Sequence, residues 1–84
     1  RPMKCYAQLF LAGCASPMPD DYEEFHSISE AKRSLLRQHD DVSSFAEGPS
    51  EMLVFFGKPE GMFPCDCLPD RAYRTGPRGG IQQL

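Results

Sequence analysis

Cysteine and histidine have the widest chemical range of the side chains in this sequence, and few are present. Thiolates and imidazoles are the usual ligands of structural zinc. The 84 residues contain six such side chains: Cys5, Cys14, His26, His39, Cys65 and Cys67. Their spacing lacks a standard ligand signature, because no C-x-x-C pair is present and the closest pair is C-x-C. We therefore predict no metal and no cofactor, with a zinc site at Cys14, Cys65 and Cys67 as the weaker alternative.

The sequence does not indicate nucleophilic catalysis. A nucleophilic serine or cysteine needs a histidine positioned beside it. His26 precedes the clearest helical pattern in the chain and His39 ends it, so the two histidines should not share one site. The glycine-rich phosphate-binding motifs of nucleotide enzymes are also missing from the sequence. We predict that the chain is not an enzyme.

Arginines gather around a glycine-rich turn near the end of the sequence. Residues 76–80 read GPRGG, whose backbone N–H groups could face an anion. Arg71, Arg74 and Arg78 would then contact the anion. A plain hairpin turn, in which glycine supplies a positive φ, explains the same residues. We favour the hairpin and keep the anion contact as a weaker prediction, because strand alternation should place Arg71 and Arg74 on opposite faces.

The clearest structural pattern is an amphipathic helix over residues 27–39, SISEAKRSLLRQH. Ser27 followed by Glu30 forms a capping box, which marks a helix start. Ile28, Ala31 and Leu35 then recur at helical spacing on one face. Such a face must pack against another apolar surface, and the flanking segments are expected to supply one.

Two segments have the pattern of β-strands. Residues 3–11 alternate, with Cys5, Ala7 and Leu9 on one face. Residues 51–57 are apolar on both faces, which indicates a central strand or a face used for self-association. Residues 71–75 and 81–84 are compatible with a terminal hairpin. The acidic residues 20–24 are interpreted as a solvated approach to the helix.

These elements predict an α+β fold for residues 1–84 as a single domain. We expect a three- or four-stranded, mostly antiparallel sheet with one amphipathic helix packed on one face. The net charge of −3 weighs against nucleic-acid binding. No apolar run approaches the roughly 18–20 residues of a membrane span, so we expect no membrane contact.

Four large side chains fall on the strand faces turned away from the predicted helix: Tyr6, Phe10, Leu53 and Phe55. One helix covers one side of a sheet, so these residues should form an exposed apolar patch. Patches of that kind usually mark an interface. We predict that they bind a partner protein or a second copy of the chain.

Four segments together resemble a family of short proteins from phages of mycobacteria and related actinobacteria. They are MKCYA at residues 3–7, DYEEFHSISEAKR at 21–33, MLVFFG at 52–57 and PDRAYRTGPRGG at 69–80. The family has no assigned function, so the resemblance carries over no catalytic residue. It implies a bacterial host cytoplasm, where thiols are mostly reduced.

From these features we expect a small non-enzymatic phage accessory protein that binds and modulates a host protein. The alternative is a zinc-binding or nucleic-acid-associated regulator that uses the cysteines or the arginine-containing tail.

Overall fold

The computed structural model describes residues 4–18, 21–58 and 68–84. Within these residues the chain forms one helix and five strands. In chain order they are β1 (Cys5–Phe10), β2 (Glu23–Phe25), α1 (Ile28–Val42), β3 (Glu51–Phe55), β4 (Arg71–Thr75) and β5 (Ile81–Gln83). The strands form one antiparallel sheet in the order β2-β1-β3-β4-β5. The predicted α+β class is confirmed, but the sheet has five strands rather than three or four.

The additional strand is β2, which lies in the segment that we interpreted as a solvated approach to the helix. It pairs with β1 at the sheet edge, with Phe25 opposite Cys5 and Glu23 opposite Ala7. Phe25 is buried and Glu24 is exposed. A strand of three residues, two of them acidic, is too short to show the alternation that marks a strand in the sequence. The buried ring of Phe25 anchors its pairing with β1.

Helix α1 begins where the capping box predicted. The backbone N–H of Glu30 donates a 3.1 Å hydrogen bond to the Ser27 hydroxyl oxygen. The helix continues to Val42, three residues beyond the predicted end at His39. Val42 is buried, so its packing accounts for the extra turn despite the two aspartates before it.

The core lies between α1 and the sheet. Ala31 and Leu35 from the helix are fully buried there. They pack in one cluster with residues from four strands: Cys5, Ala7, Phe25, Met52, Val54 and Tyr73. The face that alternation assigned to the helix in β1 and β3 is therefore confirmed. Among the described residues no helix is long and apolar enough to cross a membrane.

The terminal hairpin is confirmed, and its turn explains the glycines. The N–H of Gly76 donates to the carbonyl oxygen of Gly80 at 2.7 Å, which closes the connection between β4 and β5. Gly79 has a φ of 79°, a conformation that side chains disfavour.

Candidate functional site

Three of the four residues predicted to bind a partner are half-buried on the sheet face opposite α1. These are Tyr6 and Phe10 on β1 and Leu53 on β3. Leu53 lies between Gln8 and Ala72 across the strands, near the middle of the sheet. We call Tyr6, Phe10, Leu53 and Ala72 the helix-free face.

Phe55 does not share this exposure. Only 4% of its surface is accessible, although it lies on the same side of β3 as Leu53 and outside the helix-side cluster. Its cross-strand neighbour is Tyr6. The expectation that Phe55 forms part of an exposed patch is therefore corrected. A continuous apolar strand permits burial on both faces, and at this position burial is what occurs.

Two ion pairs, each of one basic and one acidic side chain, lie at the border of the helix-free face. The Lys4 ammonium lies 3.3 Å from the Glu24 carboxylate, and the Arg74 guanidinium lies 2.9 Å from the Glu51 carboxylate. Both pairs are well exposed, so each contributes at most about 1 kcal/mol to stability. They leave the border without an excess of either charge.

The structure does not gather the three arginines of the predicted anion contact around one point. Arg71 stacks over the ring of Phe56, which packs against the helix-side core, at 5.4 Å. Arg74 lies on the other side of β4 and donates two hydrogen bonds to one carboxylate oxygen of Glu51, at 3.0 and 2.9 Å. Arg78 is exposed in the turn. The N–H groups of Gly76 and Gly79 donate within that turn.

A second arrangement joins the end of α1 to the start of β3. His39 Nδ1 lies 2.7 Å from the hydroxyl oxygen of Ser50, which is fully buried. The same hydroxyl oxygen accepts the backbone N–H of Ala12 at 2.9 Å. Thr75 fixes the Ser50 backbone, since its hydroxyl accepts the Ser50 N–H and its own N–H donates to the Ser50 carbonyl.

His39 also borders a cleft that no pattern in the sequence predicted. The cleft has a volume of about 440 Å³ and is lined by His39, Pro49, Arg74, Pro77 and Gln82, among others. Helical spacing places His39 on the same side of the helix as Leu35, four residues earlier. Nothing local marked Ser50, whose partners are 11, 25 and 38 residues away.

The two cysteines in the described residues differ in exposure. Cys5 is buried in the core, and Cys14 is exposed; both are free. Burial, with a smaller contribution from the charge of Glu30, raises the pKa of the Cys5 thiol. In the part of the chain that the structure describes, no three histidine, cysteine or acidic side chains are grouped to hold a metal. Cys65 and Cys67 lie outside the described residues, so the alternative zinc site stays a prediction.

We expect Cys5 to resist iodoacetamide in the native protein and Cys14 to react. The thiolate is the reacting form, and Cys5 is both inaccessible and held as the thiol, whereas Cys14 is open to solvent. Peptide mass spectrometry after a short labelling pulse would assign the modified cysteines, including Cys65 and Cys67, which we also expect to react. Rapid labelling of Cys5 without denaturant would contradict the assigned face of β1.

Comparison with family models, with curated protein sequences and with solved structures found no match to this chain. The resemblance to phage proteins therefore stays a prediction from the sequence.

Proposed function

We propose that the chain is a small non-enzymatic accessory protein that acts by binding another protein through the helix-free face. The observation that carries this proposal is that Phe10 and Leu53 are only partly buried. They lie on neighbouring strands, on the side of the sheet opposite the core cluster that packs against α1. Large apolar side chains in that position are typical of interfaces rather than of a solvated face.

The charges at the border favour a protein partner over a nucleic acid. Lys4 and Arg74 are each paired with a carboxylate, so the face offers no continuous basic surface to a phosphate backbone. An apolar centre with a mixed polar rim is the usual composition of a protein interface.

The sequence resemblance is the reason for proposing that this partner is a protein of a bacterial host, modulated in the host cytoplasm. A second copy of the chain is the simplest additional partner, because two-fold homodimers are the commonest oligomers. The border of the face carries both basic and acidic side chains. This suits a homodimer, because a two-fold axis can place a basic side chain of one copy beside an acidic side chain of the other.

We expect Phe10→Asp to weaken self-association by about 30-fold or more, the effect of losing an interface hot spot. The substitution removes a large apolar contact, and the new carboxylate loses water on binding without gaining a partner. Sedimentation equilibrium over a wide concentration range would measure the dissociation constant. Circular dichroism should show unchanged helix content.

Phe45→Asp is the matched control, because Phe45 is 69% exposed in the connection between α1 and β3 and is not one of the residues of the helix-free face. It makes the same chemical change and should leave association unaltered. Equal weakening in both variants would place the contact elsewhere. A strict monomer at millimolar concentration would remove the homodimer from the proposal and leave the host protein as the partner.

A further inference from the structure

The cleft beside His39 has the size and the composition of a small-ligand site. Its volume of about 440 Å³ falls within the range of roughly 300–1,000 Å³ that ligand pockets occupy. It lies between the last turns of α1, the turn before β3 and the β4–β5 hairpin. Pro49 and Pro77 give it apolar walls, and three side chains give it hydrogen-bonding groups: His39, Arg74 and Gln82.

The buried Ser50 hydroxyl fixes the tautomer of His39. The oxygen already accepts the Ala12 N–H, and its own proton needs an acceptor inside a site with no solvent access. His39 Nδ1, 2.7 Å away, is that acceptor. A neutral imidazole that accepts at Nδ1 carries its proton at Nε2. His39 therefore offers an N–H donor at the ring nitrogen that Ser50 does not use.

Arg74 adds donors and a positive charge. Its guanidinium has five N–H groups, and two nitrogens each direct one hydrogen bond to Glu51. Three N–H groups are left after those two bonds. The side chain is 42% exposed, so a ligand can reach them. Gln82, directly across from Arg74 on β5, is exposed and contributes an amide.

We propose that this cleft binds a small ligand through an oxyanion, either a carboxylate or a phosphate. The His39 Nε2–H, the Arg74 guanidinium and the Gln82 amide donate to the anionic oxygens, and the two prolines contact the body of the ligand. Glu51 offsets the charge of Arg74, so directed hydrogen bonds rather than a strong positive field select the ligand. Arg74 is shared with the border of the helix-free face, whereas His39 and Gln82 belong to the cleft alone.

Nuclear magnetic resonance titration of the full 84-residue chain tests this site. Sodium phosphate and sodium acetate are added separately, with sodium chloride keeping the ionic strength constant. We expect saturable shifts at the His39 ring, the Arg74 side chain and the Gln82 amide, with the tighter anion identifying the oxyanion class. Shifts that rise linearly without saturation for both anions would overturn the proposal.

Two arginine variants separate the site from general charge attraction. Arg74→Gln and Arg78→Gln remove the same charge, but Arg78 is in the exposed turn and does not line the cleft. Losing a charge-assisted hydrogen bond should weaken binding about 10- to 100-fold in Arg74→Gln. Arg78→Gln should change it less than about threefold, the range of a screened surface charge. Equal losses would overturn the site.

Two further measurements test the site without Arg74→Gln, in case that substitution disturbs the sheet. Gln82→Ala changes an exposed edge residue and should weaken binding of the same anion several-fold; unchanged binding would contradict the assigned donors. The ring ¹⁵N shifts of His39 in the free protein should show the proton on Nε2. A proton on Nδ1 would remove the donor on which the proposal rests.

Discussion

Leu35→Ala should lower the free energy of unfolding by about 2–5 kcal/mol, the range for removing a buried leucine. Leu35 is fully buried and packs in the cluster that joins α1 to four strands. Among the described residues, α1 is the element that covers this side of the sheet. A cavity at Leu35 therefore weakens the packing between the helix and the sheet. Urea denaturation followed by circular dichroism would measure the change.

Arg33→Ala is the control for Leu35→Ala on the same helix. Arg33 is exposed, and a surface substitution of this kind should change stability by only about a few tenths of a kcal/mol. Both variants replace a long side chain with alanine, the best helix former, so helix propensity does not explain a difference between them. Similar losses in the two variants would mean that the packed face of α1 is wrongly assigned.

Phe55→Ala should cost about 3–5 kcal/mol, and Phe55→Asp should prevent stable folding. Phe55 is 4% exposed, so the aspartate would place an unpaired carboxylate in a dry site. We therefore expect loss of cooperative unfolding and of helix signal in Phe55→Asp. Thermal and urea unfolding monitored in the far ultraviolet would detect both.

Leu53→Ala is the matched control, two residues away on the same side of β3. Leu53 is half-buried, so its truncation should cost less than half as much as Phe55→Ala. A Phe55→Asp variant that folds normally but no longer associates would show instead that Phe55 belongs to the exposed interface.

The helix and the strands of the core were predictable because their signals are local. The capping box marks the start of α1, and alternation in β1 assigns Cys5 and Ala7 to the core. The strand β2 could not be predicted, since a three-residue edge strand is defined by the neighbour with which it pairs rather than by its own composition.

The candidate sites were predictable only in part. Alternation identified the side of the sheet that carries Phe10 and Leu53, but could not decide whether Phe55 on that side is covered. The His39 cleft depends on Ser50, whose contacts to Ala12 and Thr75 join distant parts of the chain. Sequence patterns report on neighbouring residues, so contacts between residues this far apart are visible only in the folded structure.

Site-specific photo-crosslinking tests the proposed binding face most directly. Benzoylphenylalanine would replace Leu53 in one protein and Phe45 in another, and each would be irradiated alone at high concentration and in bacterial lysate. We predict adducts with a second protein chain from position 53 and none from position 45. Excess unlabelled wild type, but not Phe10→Asp, should suppress the adducts that form with lysate proteins. Equal adducts from both positions, or none from position 53, would contradict the account.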